Sequence, residues 1–194
     1  MSRLSLSSAP AKEPVTLTDM KDHLRIDTDI DLEAEEIKYM ISAARRWCEN
    51  FQHRAYITQT WQWALDGWPD SPFDVPLPPL QSATIAYYDT DETSADFSSS
   101  YYQTDIISEP GRISLVYGQS YPTTTLRPMN GIIVTFIAGY GTSESDVPDN
   151  IRHAIKLLVG HMYENRENTW IKPLEEIPMG VESLLWQDRV KVLG

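Results

Sequence analysis

The stretch Asp31-Leu-Glu-Ala-Glu-Glu-Ile-Lys-Tyr-Met-Ile-Ser-Ala-Ala-Arg-Arg-Trp-Cys-Glu-Asn-Phe-Gln52 decides the helical part of the fold. Apolar residues recur in it at spacings of three and four, which is the pattern of a helix with one buried stripe. Its first turn is acidic and two arginines lie towards its far end, as the helix dipole favours. The sequence therefore predicts a long helix over about residues 31–52, with a buried stripe made of Ile37, Met40, Ile41, Ala44, Trp47, Cys48 and Phe51.

A shorter helix is predicted just before this one. Thr16-Leu-Thr-Asp19 matches a capping box, in which the threonine oxygen and the acidic side chain satisfy free N–H groups at a helix start. The helix is expected to run to about Arg25. Residues up to about Glu13 are rich in Ser, Ala and Pro and have no periodicity. We therefore expect residues 1–13 to be a flexible N-terminal arm.

A second long helix is predicted to begin at Pro148-Asp149, because apolar residues recur at helical spacing as far as Tyr163. It is expected to pack on the first long helix. Residues 168–194 are interpreted as a linker followed by a C-terminal apolar segment. A single short helix gains too little by packing on itself in water, so this segment is expected to need a groove on another protein. Its apolar side chains are Val181, Leu184, Leu185, Trp186 and Val190.

Between about residues 55 and 147 the sequence consists of short runs that alternate apolar with polar residues or are rich in β-branched residues. Five strands are predicted there, over residues 57–65, 84–88, 101–106, 112–117 and 132–138. Trp61 and Trp63 share one strand face by period two, so they are expected to be buried together. The sequence thus predicts an α+β fold: a main domain over residues 14–167, built on two long helices plus short helices, with an inserted antiparallel β layer at about residues 55–147.

Composition bounds the function of this chain. Its 194 residues, 41% of them hydrophobic and 23% charged, predict one folded domain with an extension. The net charge of −12 argues against a surface that grips nucleic acid. Residues 55–147 carry only Arg112 and Arg127 against 11 acidic side chains. No apolar run is long enough for a signal peptide or a membrane span, so we expect synthesis in the cytosol and no membrane contact.

Metal-site patterns fail on named residues. Asp27-x-Asp29-x-Asp31 has the spacing of a calcium loop, but Leu32 replaces the required glycine and Lys38 replaces the bidentate glutamate. The sequence therefore favours helix capping by these aspartates. His161 and Glu164 lie one helical turn apart, but nothing repeats the pair, as a dimetal site in a helical bundle requires. No metal and no cofactor are predicted.

Catalytic patterns fail in the same way. Ser120 imitates a nucleophile elbow, but Pro122 replaces the second glycine. Cys48, the single cysteine, lies on the apolar helix stripe with no partner that would lower its pKa. The Gly139-Tyr-Gly141 turn lacks the third glycine of a dinucleotide-binding loop. The chain is therefore predicted not to be an enzyme, and its many Trp and Tyr residues favour contact surfaces.

The order of several motifs resembles a known family, the head-tail connector (adaptor) proteins of long-tailed bacteriophages and of related gene transfer agents. The resemblance runs from about Pro14 to Val190, and its combination of motifs is more specific than any one of them. The motifs are Pro14-Val-Thr-Leu-Thr-Asp-Met-Lys-Asp-His-Leu-Arg25, Ala55-Tyr-Ile-Thr-Gln-Thr-Trp61, Pro78-Pro-Leu-Gln-Ser82, Ser108-Glu-Pro-Gly-Arg112, Phe136-Ile-Ala-Gly-Tyr-Gly141, Val147-Pro-Asp-Asn-Ile-Arg152, Leu158-Val-Gly-His-Met-Tyr-Glu-Asn-Arg-Glu167 and Pro178-Met-Gly-Val-Glu-Ser-Leu-Leu185.

This resemblance implies a structural protein of the virion neck. Family members assemble as a ring, usually of twelve, that docks under the portal protein after DNA packaging. The ring extends the DNA channel, which duplex DNA passes without specific binding, and offers a platform to the stopper or the tail. In some members a C-terminal segment reaches the portal, and this role carries over to Val181, Leu184, Leu185, Trp186 and Val190.

Two other functions compete with this one. A carbohydrate- or ligand-binding β module of a virion is indicated by the clustered aromatic residues of the middle block, which are Trp61, Trp63, Trp68, Tyr87, Tyr88, Tyr101 and Tyr102. Such a platform keeps its rings in solvent, whereas the strand pattern predicts that Trp61 and Trp63 are buried. A hydrolase with paired carboxylates such as Asp89 and Asp91 is the third reading, but no apolar environment that would raise a pKa is apparent beside them.

Overall fold

A computed structural model describes residues 4–27, 33–165 and 179–190 of the chain. It contains helices and antiparallel sheets, so the predicted α+β class is confirmed. The chain divides into two compact units. Unit 1 comprises Met1–Ala11 and Thr58–Tyr140, and unit 2 comprises Lys12–Ile57 and Gly141–Gly194. The sequence placed the ends of a β insertion at about residues 55 and 147.

The helices belong to unit 2. They are α1 (Leu17–Leu24), α2 (Ala34–Gln52), α3 (Asp149–Glu164) and α4 (Met179–Trp186), with a single 3₁₀ turn at Glu144–Asp146. As the capping motif predicts, the Oγ1 of Thr16 accepts a hydrogen bond from the Asp19 N–H at 3.0 Å at the start of α1. In the part of the chain that the structure describes, no helix is both long and apolar enough to cross a membrane.

The helix predicted over about residues 31–52 corresponds to α2, which runs over Ala34–Gln52, and its N-terminal boundary is marked by the Ile37 N–H donating to the Glu33 carbonyl. Residues 28–32, including the aspartates 29 and 31 of the acidic motif, lie outside the described residues. Helices α2 and α3 pack on each other through their apolar stripes. The fully buried members of the two stripes are Ile37, Ile41, Ala44, Cys48, Ile151, Ala154, Ile155, Leu158 and Val159.

The buried stripe of α2 is narrower than the spacing predicts. Met40, Trp47 and Phe51 are half-buried, so they edge the stripe and do not lie at its centre. The reason is angular: residues four apart on a helix drift sideways by about 40° per step, so the outer members of a wide stripe reach the rim of the contact. The prediction that Trp47 and Phe51 are core residues is therefore corrected to a position at the margin of the core.

Unit 1 is built from two antiparallel sheets. The larger sheet has the strand order β1-β2-β8-β4-β5 and the smaller one β3-β7-β6. The single layer of about five strands that the sequence predicts is therefore wrong, and the described residues contain eight strands. They are β1 (Leu4–Ser8), β2 (Gln59–Leu65), β3 (Phe73–Asp74), β4 (Leu80–Tyr88), β5 (Ser94–Phe97), β6 (Tyr102–Asp105), β7 (Arg112–Leu115) and β8 (Ile132–Ala138).

Strand β8 is the centre of the larger sheet. Its side chains alternate between buried and half-buried, with Val134 and Phe136 fully enclosed. Trp61 lies opposite Phe136 and Trp63 opposite Val134 in the β2–β8 register. Cross-strand partners share a sheet face, so both tryptophans lie on the core face, as the period of two predicts. They are half-buried and not fully enclosed, because only the short edge strand β1 lies beyond them.

The smaller sheet covers this core face. The Tyr102 hydroxyl donates to the Ala83 carbonyl at 3.2 Å, and the Tyr102 ring stacks on Phe97 with centroids 5.6 Å apart. At Gly111 a side chain is impossible without a shift, since a Cβ there would lie 2.5 Å from the Leu80 Cβ. Close backbone approach at this glycine therefore joins the β6–β7 hairpin to strand β4.

The prediction of a flexible arm at residues 1–13 is wrong for residues 4–8, which form strand β1. Leu4 pairs with Trp63 and Leu6 with Trp61, in antiparallel register. The physical reason is that β2 would otherwise present an open row of N–H and C=O groups, and Leu4 and Leu6 alternate with serines at the period that fits this edge. The strand could not be recognised from the sequence because the segment is rich in serine and its apolar face consists of two leucines only.

Candidate docking surface

The C-terminal helix α4 is held on the helical body of unit 2. It packs on α2 and α3. The Gln52 side-chain amide donates to the Leu185 carbonyl at 2.6 Å, and the Val190 N–H donates to the Gln52 carbonyl at 3.0 Å. Asn150 donates to the Leu184 carbonyl and, at 2.8 Å, to the Asp188 carboxylate. The bonds to Leu184 and Leu185 satisfy carbonyls at the C-terminal end of α4, where a helix has no internal donors to offer.

The five predicted docking residues are divided by this packing. Val181 and Leu185 are fully buried in unit 2, whereas Leu184 and Val190 are half-buried. Trp186 alone among the five is largely exposed, with 63% of its surface open. Docking on another protein through Val181 or Leu185 would require α4 to leave its place. The predicted role of these residues in portal binding remains a prediction, and Trp186 is the part of the segment that a partner could reach directly.

Trp186 continues an aromatic row on α2. The Trp47 and Phe51 rings stack with centroids 5.3 Å apart and planes 18° apart, and Phe51 lies 5.9 Å from Trp186. The Arg189 guanidinium lies over Phe51 at 4.8 Å and over Trp186 at 4.6 Å. Such cation–π contacts stabilise the arrangement by about 0.5–1 kcal/mol each when exposed. Phe51 and Arg189 thus fix the position of the Trp186 ring.

The row extends towards the N-terminus of α2 along one i, i+4 ridge. Ala43 is exposed, and Tyr39, one step further, is 73% exposed. Side chains four apart on a helix lie next to each other and form the ridges that pack into grooves of other helices or sheets. We call this surface the aromatic ridge; it consists of Tyr39, Ala43, Trp47, Phe51, Trp186 and Arg189. Sequence reasoning missed it because it assigned Trp47 and Phe51 to the core and left Tyr39 unconsidered.

Unit 1 exposes its own apolar feature at the tip of the β6–β7 hairpin. Ile106 is 54% exposed and Ile107 is 91% exposed. The Asp105 carboxylate fixes this tip, because it accepts hydrogen bonds from the Ile107 and Ser108 N–H groups and from Arg112. The Arg112 bond, with those from Ser108 and Ile107, holds the pKa of Asp105 well below its usual range. We call residues 105–109 the hairpin tip.

Four aromatic residues of the middle block, Trp68, Tyr87, Tyr101 and Tyr102, belong to a packed cluster with Phe97 and Tyr121. Trp68 stacks on Tyr121 at 4.5 Å and lies within 5.7 Å of the rings of Phe97 and Tyr87. Phe97 is buried, and Trp68 is half-buried. A carbohydrate platform instead presents ring faces to solvent. The arrangement of these rings favours a structural role in unit 1 over the ligand-binding reading.

The catalytic and metal candidates are not brought together. The Asp89 carboxylate accepts hydrogen bonds from the N–H groups of Asp91 and Thr93, which is a turn-stabilising arrangement. Cys48 is fully buried, and burial followed by the charge of Glu49 raises its pKa to about 12. The thiolate is therefore suppressed. Within the described residues, no three His, Cys, Asp or Glu side chains are grouped so as to hold a metal ion.

The remaining candidates have structural roles or none. A Cβ at Gly141 would overlap the Asp146 carboxylate, which accepts the Ser143 N–H and caps the 3₁₀ turn. This geometry fits the tight turn that the sequence predicts. Ser120 lies in an exposed loop, and no hydrogen bond joins the His161 ring to Glu164 in the described contacts; its Nδ1 lies 3.3 Å from the Asn165 amide.

Comparison with known proteins gives a full-length likeness of fold. No protein-family model and no curated protein matches the chain. A chain in the neck of an empty gene transfer agent (GTA) particle, computed with C6 symmetry, superposes with a TM-score of 0.81 at 23% identity, covering 98% of this chain and 97% of that one. A chain of the native GTA virion gives 0.80, and one in the native GTA neck computed with C12 symmetry gives 0.76, both at 22% identity and the same coverage. This chain thus has the same fold as these particle proteins.

Proposed function

We propose that this chain is a structural head-tail connector (adaptor) in the neck of a tailed phage or phage-like particle. The observation that carries this function is the superposition on a GTA neck chain over 98% of this chain, with both units matched. A match restricted to one unit would have reflected a common small motif. The motif order from Pro14 to Val190 points to the same class of protein. The role is mechanical and involves no catalysis.

The chain works as one subunit of a ring, in our proposal of twelve copies. Support comes from the C6 and C12 symmetries of the neck structures that contain similar chains. A ring requires two different surfaces on each subunit that meet head to tail. The chain offers apolar surface on both units: the aromatic ridge on unit 2 and the hairpin tip on unit 1.

The ring binds the portal protein on one side and gives a platform to the stopper or tail on the other. We assign portal docking to the C-terminal segment with Val181, Leu184, Leu185, Trp186 and Val190. Trp186 is its accessible anchor, since Val181 and Leu185 stabilise α4 on the body. Tryptophan is enriched among the residues that carry most of the energy of protein interfaces.

The acidic surface of unit 1 suits a channel for duplex DNA. Residues 58–140 contain nine acidic side chains, each exposed or half-buried, against Arg112 and Arg127. Both arginines are paired, with Asp105 and Glu92 respectively, at 2.8 Å. A surface of this charge repels phosphates, so DNA passes it without adhering.

Electron microscopy of the purified particle, at a resolution that traces side chains, tests the proposal. The chain is expected in a closed ring between the portal and the next neck protein. Density for Trp186 is expected at the portal side. A neck built without this chain would overturn the proposed function, and a ring in which Trp186 faces away from the portal would overturn the docking assignment alone.

A further inference from the structure

We propose that two neighbouring turns of unit 1, in residues 98–101 and 116–121, form a surface through which unit 1 meets an adjacent copy of this chain. We call these residues the uncharged face. The inference rests on the proposed function, because it assumes that several copies assemble into a ring. It adds to that function a copy-to-copy surface that is separate from the aromatic ridge and the hairpin tip.

The uncharged face is built from two turns that hydrogen bonds close and join. In the first turn the Tyr101 N–H donates to the Ser98 carbonyl at 3.0 Å. In the second the Gln119 N–H donates to the Val116 carbonyl at 2.9 Å, and Gly118 has the positive φ of 79° that a type II turn needs at its third position. The Val116 N–H donates to the Tyr101 carbonyl at 2.9 Å, which joins the two turns. Because the face is already ordered in the single chain, less conformational entropy is lost when a partner covers it.

The side chains of the uncharged face are of the types that recognition surfaces use. Tyr117 is fully exposed and Tyr101 is 44% exposed, and the serines, glycine and glutamine of the two turns are exposed as well. Tyrosine supplies a large contact area at low entropy cost, and serine and glycine adapt to a partner, so antibody paratopes are enriched in these residues. The Tyr121 ring stacks on Trp68 at 4.5 Å, which anchors the face to the packed aromatic cluster of unit 1.

The face contains no charged residue, although it belongs to an acidic unit. Its two segments read Ser-Ser-Ser-Tyr and Val-Tyr-Gly-Gln-Ser-Tyr, whereas residues 58–140 as a whole hold nine acidic and two basic side chains. Acids border the face: Asp96 is exposed two residues before the first segment, and burial, followed by the charge of nearby Asp70, raises the pKa of Tyr121. A centre that is rich in tyrosine and free of charge, with a polar rim around it, is the usual anatomy of a protein interface.

The absence of charge favours a second copy as the partner. Unit 1 holds nine acidic and three basic side chains and unit 2 holds 19 and 13, so every copy is acidic on both units. Copies that met through acidic surfaces would repel each other, whereas an uncharged face lets them approach. A basic partner protein would instead be attracted to the acidic surfaces of the chain. Duplex DNA would need basic residues that this face lacks.

The size of the face fits a contact that is stable only within a ring. Eight of its residues are exposed, in the segments 98–101 and 117–120. A standard stable interface uses about 20–30 residues on each side. The face alone falls short of that, so the purified chain is expected to be monomeric, and other surfaces of the subunit add to the contact in the particle. Because the contacts of a ring are head to tail, the face meets a different surface of the neighbouring copy.

Photo-cross-linking in assembled particles identifies what the uncharged face touches. The photoreactive residue p-benzoylphenylalanine replaces Tyr117, whose side chain is fully exposed, so the fold should be undisturbed. After irradiation we expect a ladder of linked copies of this chain, at about tenfold the yield obtained with the same replacement at Asp91, because only a covered site keeps a neighbour within reach. Asp91 is the control because it is exposed on the acidic turn between β4 and β5.

The other outcomes of this experiment separate the inference from the proposed function. Links to a different neck protein alone, links to DNA alone, or equal yields at the two positions would each overturn the second copy as the partner. Particles that contain the chain but give no link would overturn the inference and leave the proposed function intact. Particles that lack the chain would overturn the proposed function, and the inference with it.

A second experiment tests the charge argument without cross-linking. Ser99 and Ser120 are exposed, one on each segment, and the double change to aspartate places two negative charges on the face. Incorporation into particles at low salt should fall about tenfold, because like charges across an interface repel. It should recover at about 1 M salt, where the Debye length is only about 3 Å. The double change to asparagine adds the same volume without charge and should change incorporation less than about twofold. Equal losses in the two double variants, or no loss in the aspartate variant, would overturn the inference.

Discussion

At the scale of single residues, Arg45 is a buried cation on which two parts of unit 2 depend. Its guanidinium binds Glu13 at 2.7 Å and Glu49 at 2.6 Å, and the other oxygen of Glu49 accepts the Tyr56 N–H. Burial lowers the pKa of Arg45, but the charge of Glu49 and the hydrogen bond to Glu13 raise it by more. The group therefore stays charged, and the chain before α1 is tied to α2.

Arg45→Met should destabilise the fold by about 3 kcal/mol, because it leaves the carboxylates of Glu49 and Glu13 without their shared cation in a largely buried site. Urea unfolding at neutral pH measures this change. The matched control is Arg46→Met on the exposed side of the same helix, which should change stability by less than about 0.5 kcal/mol. A loss below about 1 kcal/mol for Arg45→Met would show that the ion pairs contribute little in solution.

Asp105 gives a prediction about pH. Its pKa lies well below the ordinary value of 3.8, first because of Arg112 and then because of Ser108 and Ile107. The ionic support of the hairpin tip is therefore complete above that ordinary value and is lost as the pH falls through the depressed pKa. Arg112→Ala should raise the Asp105 pKa, so that the tip loosens at higher pH. Carboxyl NMR titration, with amide exchange of Ile107 and Ser108, measures both effects.

The control for this titration is the other arginine of the middle block. Arg127 pairs with Glu92 and lies over the Tyr88 ring at 4.1 Å, away from the hairpin tip. Arg127→Ala should therefore leave the Asp105 titration where it is. An equal upward shift in both variants would mean that general charge, and not the Arg112 hydrogen bond, depresses this pKa.

At the scale of elements, helix α4 separates folding from docking through two adjacent residues. Leu185 is fully buried against α2 and α3, so Leu185→Ala should cost about 3 kcal/mol in unfolding free energy. Trp186 is mostly exposed, and Trp186→Ala should cost about 1 kcal/mol, through the lost ring contacts with Phe51 and Arg189. Thermal or urea unfolding of the two variants gives the comparison.

For incorporation into particles we expect the opposite order. Relative to the unfolding free energy that each variant loses, Trp186→Ala should lower incorporation more than Leu185→Ala. Trp186→Ala should lower the occupancy of the neck although the protein remains folded, because the proposed portal anchor is gone. If Leu185→Ala were as stable as the wild-type protein, α4 would not be held on the body in solution. In that case the exposed anchor that the sequence predicts would describe the free chain better.

Elements with a strong period were predictable from the sequence, and those defined by their neighbours were not. The helical spacing of Ile37, Ile41 and Cys48 predicted α2 with the observed C-terminal end and with a start a few residues too early. The alternation of apolar residues in β8 placed Val134 and Phe136 in the core. Strand β1 was missed because a Ser-rich edge strand is stabilised by the open edge of β2 and not by its own propensity. Local sequence also could not show that the side-chain amides of Gln52 and Asn150 donate hydrogen bonds to backbone carbonyls of α4.

The candidate docking surface was predicted only in part for the same reason. Trp186 was identified from its own segment, because an apolar run behind two prolines is visible in the sequence. The aromatic ridge was not identified, since it joins residues from α2 to Arg189, more than a hundred positions away. Surfaces made by two elements depend on tertiary packing, which periodicity within one element does not report.

At the scale of the whole molecule, the distribution of charge bears on how the proposed ring would treat DNA. A basic surface binds the phosphates of a duplex, whereas an acidic surface repels them. This chain has a net charge of −12, and the acidic excess is concentrated in residues 55–147. Because the acidic side chains of this block are exposed or half-buried, their charge produces a negative potential outside the protein. Twelve copies in a ring would multiply this potential around any duplex in the channel.

Replacing exposed acids with lysines should therefore slow the passage of DNA. Asp70, Asp91 and Asp96 are exposed, and the triple change to lysine raises the charge of each copy by six units. Each new phosphate contact adds about −0.9 to the slope of log affinity against log salt, so the variant should bind duplex DNA measurably at low salt. Genome release from particles, followed by dye binding, should slow accordingly and recover at high salt. The triple change to asparagine, which removes negative charge without adding positive charge, should have a smaller effect. Unchanged release by the lysine variant would mean that these acids face away from the DNA, and their contribution would then be to the solubility of the subunit before assembly.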